Sequence, residues 1–301
     1  MVKTMAIFLS RWFVLCGGLF LFVNPTIASQ QNLNTIEIRR ITAETRPQEN
    51  EKRKFPEEVE DQNEHSLTQE TLFQENGLLP PSILSNPFSR NVIGHDERVA
   101  ILNTTQAPYR MMGQIQIGCT GTLVGPKHVL TAGHCVYQVK TDTWYQSLTF
   151  YPARQGKFLP YGSIGWEKAF ALQGWTSEHD PEFDLALIVL DKEIGKQVGW
   201  LPFATAPIGE NSQIRITGYP GDKPKGTLWK SECYLKSAMT QLHYDCDTLG
   251  GMSGSSIVAF RGHATPVIQG VHTYGLVNEN RGTRLTQELV AKIKEWIRIS
   301  P

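Results

Sequence analysis

The chain has 301 residues, with 29 Lys and Arg against 29 Asp and Glu, so its formal net charge is zero. That balance supplies no long-range field for nucleic acid or an anionic membrane. With 40% hydrophobic and 19% charged residues, the composition is that of an ordinary globular protein with room for one or two cores.

The first 28 residues stand apart. Lys3 and Arg11 are their only charges, an apolar run over 12–23 comes next, and Asn24-Pro25-Thr26-Ile27-Ala28 closes the segment. This pattern predicts a secretory signal peptide cut near Ala28. The apolar run falls short of the roughly 20 residues that a spanning helix needs. Export in turn makes the cysteines readable. Cys16 leaves with the leader, and Cys119, Cys135, Cys233 and Cys246 remain. Four cysteines allow three pairings, of which sequence proximity favours Cys119 with Cys135 and Cys233 with Cys246. The spacings match no usual zinc cluster.

Residues 29–91 read poorly as a core. Over 44–64 there are eight acidic and four basic residues, with Phe55 and Val59 the only large apolar ones. Such a stretch is expected to be largely extended. A short helix is predicted over 70–79, ended by Pro80-Pro81. The segment reads either as a flexible linker or as a removable pro-segment that silences a degradative activity during export. The reactive residue types carried further along the chain favour the pro-segment.

From Val92 onward, short β-branched or aromatic runs alternate with turn residues, as at 113–117, 121–124, 147–151, 185–190, 213–217, 256–260 and 266–270. That texture predicts an all-β fold, sandwich or barrel. Long helices do not alternate with the strands, which argues against a βαβ sheet. A break near 195–207 divides two halves, predicted as 92–200 and 201–301. One helix is expected at the end, capped by Thr286, with Leu289, Ile293, Trp296 and Ile297 on the face packed against its own barrel.

Two short runs carry the chemistry. Thr131-Ala132-Gly133-His134-Cys135 offers a histidine in a turn a disulfide could brace. Gly250-Gly251-Met252-Ser253-Gly254-Ser255 offers a serine in a glycine-tight turn. A serine hydroxyl needs a base, and the base needs a third group to fix its tautomer. An imidazole, with a free pKa of about 6.5, suits the role of base. Asp184, just before the apolar run Leu185-Ala186-Leu187-Ile188, is the expected orienting carboxylate. Asp180 and Asp191 are its nearest competitors. Small residues around Ser253 let backbone N–H groups, those of Gly251 and Ser253, meet a developing oxyanion. Ser255 and Ser256 are rival hydroxyls, of which Ser255 lacks the preceding Gly-x context, and the order His134, Asp184, Ser253 differs from the serine-first order of α/β-hydrolases.

On these motifs the chain resembles the chymotrypsin-like serine proteases, and within them the bacterial glutamyl endopeptidases. The resemblance covers about 92–296. It is carried by Thr131-Ala-Gly-His134-Cys135, Asp184-Leu-Ala, Gly251-Met-Ser253-Gly, Cys119-Thr-Gly-Thr-Leu-Val124, Gly218-Tyr-Pro-Gly-Asp-Lys-Pro-Lys225 and Gly270-Val-His272. It implies two six-stranded antiparallel β-barrels. The first, 92–200, would carry His134 and Asp184; the second, 201–301, would carry Ser253 and the terminal helix. It also implies a Cys119–Cys135 disulfide bracketing the histidine loop. In the glutamyl branch, the resemblance implies that His272 reads the acidic side chain before the cut. Thr248 would assist, together with the mature N-terminal amine at Val92, freed by cleavage after Asn91. Thr273, Tyr274 and Gly275 would lie along the cleft.

Some positions depart from the pattern. Asp247 stands where trypsin-like enzymes carry the carboxylate that binds Lys or Arg, which keeps a basic preference open. Leu249 stands where those enzymes have a cysteine. Met252 replaces the aspartate that pairs with the new N-terminus in their zymogens, and Ser256 replaces a proline common in the bacterial branch. The expected activity is that of a secreted serine endopeptidase acting through an acyl-enzyme, without metal or organic cofactor. Its expected partners are polypeptide substrates and a processing protease, and it is expected to act as a monomer. The rivals are a protease-like binding module whose chemistry has lapsed and a simple esterase.

Overall fold

The computed structural model describes residues 32–40, 92–205, 208–259, 266–276 and 278–301. The leader over 1–28, the helix expected over 70–79 and most of the 29–91 segment lie outside these residues. None of the helices among the described residues is long and apolar enough to cross a membrane.

Ten strands occupy the first half: β1 (Thr35–Arg39), β2 (Val99–Ala100), β3 (Met112–Ile115), β4 (Thr120–Leu123), β5 (His128–Thr131), β6 (Tyr137–Gln138), β7 (Thr143–Trp144), β8 (Phe150–Pro152), β9 (Trp166–Leu172) and β10 (Ala186–Leu190). Six more complete the chain: β11 (Gln213–Gly218), β12 (Trp229–Ala238), β13 (Gln241–Tyr244), β14 (Ser256–Ala259), β15 (Val267–Gly275) and β16 (Asn280–Arg284). All the strand pairings between them are antiparallel.

The first sheet runs β9-β10-β5-β4-β3-β8, with β1 added outside β9. A bridge from Phe150 to Ile164 brings its two ends together. The second runs β11-β14-β15-β16-β13-β12 and closes through β11–β12, which makes a six-stranded barrel, with β2 attached to β12. The fold is all-β, of the chymotrypsin-like two-barrel type, with a helix at the C-terminus.

Sequence pattern explains which strands were legible. β10 is Ala-Leu-Ile-Val-Leu, buried at every position, and reads as an apolar run. β12 alternates buried Ser231 and Leu235 with outward Lys230, Glu232 and Lys236, so its polar face conceals it.

The segment 29–91 is not wholly apart from the core. Residues Thr35–Arg39 pair with β9 in a five-residue register, from Thr35 opposite Leu172 to Arg39 opposite Lys168. Leu33 and Ile38 pack against the first core. A sparse apolar content predicted none of this, because an edge strand is held by backbone hydrogen bonds that composition does not register.

The C-terminal helix α1 (Gln287–Arg298) begins as expected: Thr286 Oγ1 accepts from Leu289 N at 3.3 Å. Leu289, Val290, Ile293 and Trp296 are its buried residues. It packs across the molecule onto the first barrel, where Trp296 stacks on Phe170 of β9 with ring centroids 5.8 Å apart. The Trp296 indole N–H donates to Thr35 Oγ1 at 2.8 Å, so one side chain ties the C-terminal helix to the N-terminal strand.

Candidate active site

The site is set by the pairing of β5 with β10. Their register places Ala186 opposite Thr131. Extended by two residues in each direction, the antiparallel ladder brings Asp184 alongside Gly133 and next to His134. Asp184 is fully buried. Its Oδ1 accepts from the His134 backbone N–H at 2.8 Å, and its Oδ2 lies 2.7 Å from His134 Nδ1. An ionised carboxylate only accepts, so Nδ1 carries the proton and Nε2 keeps its lone pair. Gly133 is required here. A Cβ on it would come within 2.7 Å of Trp175 and 3.0 Å of Asp184 Oδ1. The two competitors fall away: Asp180 accepts from Glu182 N as the cap of the Pro181–Phe183 turn, and Asp191 is exposed.

His134 is walled by two aromatics. Trp175 and Tyr274 each place a ring centroid 6.2 Å from the imidazole. Burial, with the negative charge of Asp184 second, pushes the Tyr274 hydroxyl far above its ordinary range, so it stays protonated.

The serine turn is pinned from the other barrel. Thr120 N donates to Ser253 O at 2.9 Å, Thr120 Oγ1 donates to Gly251 O at 2.9 Å, and Tyr219 N donates to Thr120 Oγ1 at 3.0 Å. Gly254 has φ +84°, and a Cβ there would meet Thr120 O at 2.2 Å and Thr131 Oγ1 at 2.1 Å. Glycine at 254 therefore lets the serine turn lie directly against the strand ends that carry the histidine loop. The disulfide Cys119–Cys135 ties the start of β4 to the same loop, and Cys233–Cys246 ties β12 to the segment before the serine. These are the two pairings that proximity favoured. Thr120 lies within the Cys119–Val124 motif, which gives it no role of its own; only the contacts across the barrels reveal one.

The backbone around Ser253 has an unusual distribution of bonds. The carbonyls of Gly250, Gly251 and Ser253 all accept hydrogen bonds, whereas the N–H groups of Gly251 and Ser253 donate to nothing among the described residues. Ser253 Oγ and the His134 ring share no hydrogen bond in this structure. Ser255 and Ser256, the rival hydroxyls, are buried more deeply than Ser253. Met252, in place of the aspartate, is fully buried in the second core.

His272 and Thr248 are buried, and the Thr248 hydroxyl has no partner among the described residues. His272 Nδ1 lies 2.6 Å from the Tyr244 hydroxyl. Burial, and then the proximity of His134, push the His272 imidazole down to about 3, so it is neutral at ordinary pH. Burial keeps the Tyr244 phenol protonated, and its hydroxyl pairs with Nδ1 of the neutral ring. Thr273 sits at the register shift between His272 and Tyr274 in the β15–β16 pair, and Tyr274 and Gly275 continue that pair opposite Arg281 and Asn280.

Asp247 is used differently from a reader of basic side chains. Its two oxygens accept from the backbone N–H of Ile93 at 2.8 Å and of Glu97 at 2.7 Å, and the residue is buried. It anchors the chain just after Val92 beside Thr248. Cys119, His134 and Cys135 are the one cluster of metal-donor residues among the described residues, but the two sulfurs are bonded to each other and offer no thiolate.

The family model described as Trypsin matches residues 93–297. The chain belongs to the trypsin family. Among similar proteins, the glutamyl endopeptidase of Bacillus licheniformis is 38% identical over 70% of this chain and 70% of its own length. A Bacillus subtilis protein named extracellular metalloprotease is 36% identical over 68% of this chain and 69% of its own. A solved structure of a Glu endopeptidase in complex with MPD aligns with a TM-score of 0.63 and 31% identity, over 68% of this chain and 98% of that one. This trypsin-family chain is a serine endopeptidase of the chymotrypsin fold, on the branch of the bacterial glutamyl endopeptidases.

Proposed function

We propose that this protease cuts on the carboxyl side of acidic residues, Glu first, through an acyl-enzyme on Ser253. The observation that carries the chemistry is the buried Asp184 gripping His134 at both its backbone N–H and Nδ1. In the first step His134 Nε2 takes the Ser253 proton as Oγ attacks the carbonyl carbon. The free N–H groups of Gly251 and Ser253 receive the oxyanion. His134 then hands the proton to the leaving amine as the peptide bond breaks. Water, deprotonated by the same imidazole, releases the acyl group and restores Ser253. Asp184 stays charged throughout. The absent His134–Ser253 bond fits a resting state, because such contacts commonly tighten only when substrate arrives.

The acidic preference is supported by three features. His272 is a neutral imidazole, the Thr248 hydroxyl has no partner among the described residues, and Asp247 is already engaged with Ile93 and Glu97. A carboxylate leaving water needs donors of that kind. An aspartate with both oxygens occupied has little left for Lys or Arg, which weakens the basic alternative. Cleavage after Asn91 would place the new amine at Val92, one residue from the Ile93–Asp247 bond, and so add positive charge near Thr248. The pair of Cβ-intolerant glycines and the intact His, Asp and Ser disfavour a lapsed binding module.

We further propose that residues 1–28 direct secretion, that 29–91 form a pro-segment removed by another protease, and that the mature enzyme is a monomer. Thr273 to Gly275 would pair with substrate as an added strand.

The test is digestion of a peptide library by processed protein, reading the residue before each cut. Glu is expected to dominate; a dominant Lys or Arg rejects the specificity. Ser253→Ala is expected to lose peptide and ester turnover while keeping its melting temperature, and near-normal turnover rejects the mechanism. The relative named as a metalloprotease suggests a metal-dependent reading, which predicts loss of activity under a chelator. The serine mechanism predicts none.

A further inference from the structure

The Gly218-Tyr-Pro-Gly-Asp-Lys-Pro-Lys225 run has no part in the chemistry above, yet it borders a cavity of about 500 Å3 that reaches Gly251. The wall also carries Gln116, Arg154, Asp222, Lys223 and Lys225. Gly251 supplies one oxyanion N–H, so the cavity begins where the scissile carbonyl would sit. His272, Thr273 and Tyr274, along which the acyl half would run, are not in its wall. A polypeptide that enters along β15 and crosses Ser253 therefore leaves into this cavity.

Its charge is unbalanced. Arg98 binds Asp96 and Asp222, with contacts between 2.5 and 2.9 Å, and Lys223 Nζ reaches Asp96 at 2.7 Å. Arg98 and Lys223 thus meet two carboxylates, and Arg154 adds a positive charge to the wall beyond that pairing. Arg154 meets no carboxylate among the described residues. Its Nε donates to Gly156 O and its Nη1 to Gln114 Oε1, each at 2.9 Å, and its guanidinium lies 5.6 Å from the centroid of the Tyr151 ring. Two neutral acceptors and one aromatic face thus hold this guanidinium in place without cancelling its charge. A concave wall concentrates the field of such a cation, and a fixed guanidinium suits a carboxylate.

We propose that this cavity is a leaving-group subsite that selects substrates bearing Glu or Asp at the first or second position after the scissile bond. The proposal rests on a polypeptide being cut at Ser253, but not on which residue precedes the cut. Because the leaving half departs at acylation, the preference acts in that step and is read in kcat/KM.

The test uses quenched fluorescent peptides that share one acyl half, fixed to whichever sequence the library experiment returns. The first two leaving-side positions carry Glu, Gln or Lys. Glu is expected to exceed Gln by about fivefold in kcat/KM at low salt, the size of one partly exposed ion pair, with Lys below Gln. The advantage is expected to shrink as ionic strength rises past about 0.15 M. Arg154→Gln is expected to bring the Glu-to-Gln ratio towards one. Both substrates are measured on one preparation, so a partly folded variant still reports the ratio. A ratio of one in the unmodified enzyme, a salt-independent ratio, or a ratio that survives Arg154→Gln overturns the proposal. Failure of Glu specificity before the cut would leave this test intact, since the acyl half is held constant.

Discussion

The backbone N–H of Thr120 donates to the carbonyl of Ser253 at 2.9 Å, which joins the first strand after the Cys119 disulfide to the proposed nucleophile. The two residues are 133 positions apart. The same threonine's hydroxyl holds Gly251 O and receives Tyr219 N, so one side chain organises the turn that presents Ser253. Both barrels must fold before this bond exists, and the serine turn is therefore a property of their contact.

Thr120→Val should expose that dependence. Valine keeps the shape but leaves Gly251 O and Tyr219 N unpartnered in a buried place, a cost of about 1–3 kcal/mol for each group. We expect a lower melting temperature and a fall in kcat of about tenfold or more, as the oxyanion N–H groups lose their alignment. Unchanged kcat in a folded variant would show that the turn holds itself.

Gly254→Ala tests the close approach of the serine turn to β4. At φ +84° an alanine is strained, and its Cβ would lie 2.2 Å from Thr120 O, a backbone atom that cannot step aside cheaply. Urea unfolding should show a loss above about 1 kcal/mol, beyond an ordinary surface substitution. A loss within about 0.5 kcal/mol would contradict the contact.

Asp184→Asn separates geometry from charge. The amide can still receive the His134 backbone N–H, but an amide nitrogen facing Nδ1 favours the wrong imidazole tautomer. A fall in kcat of about 10⁴ is expected, as for the same change in the template triad, with the fold retained. The check is single-turnover kinetics together with circular dichroism.

Acid stability should report His272. Its folded pKa, about 3, lies below the free value of 6.5, because burial disfavours the charged ring. Between those values the unfolded chain binds a proton that the folded chain refuses. The stability is fully present above about pH 6.5 and is lost as pH falls towards 3, with a slope of up to about 1.4 kcal/mol per pH unit from this group. His272→Gln should flatten that part of the stability–pH curve. A curve as steep as that of the parent would place the proton uptake elsewhere.

Some of this protein was written in linear order. The all-β texture, the capped C-terminal helix, both disulfide pairings, and His134, Asp184 and Ser253 as candidates all came from local pattern, because periodicity, turn chemistry and cysteine proximity are short-range properties. Asp247 shows the limit: its residue type and distance from Ser253 suit a pocket for basic side chains, yet it accepts from Ile93 and Glu97, more than 140 positions away. Strand β1 is a second case, since its edge is held by backbone hydrogen bonds to β9 as well as by Ile38 packed on the first core. The amino-acid order by itself determined which groups could react, since chemistry resides in residue type. Tertiary structure alone decided what each group faces: register sets Asp184 against His134, close approach sets Gly254 against Thr120, and the same folding directs Asp247 to the chain's own backbone. Those relationships depend on pairing distant strands, and no local stretch encodes the partner it will meet.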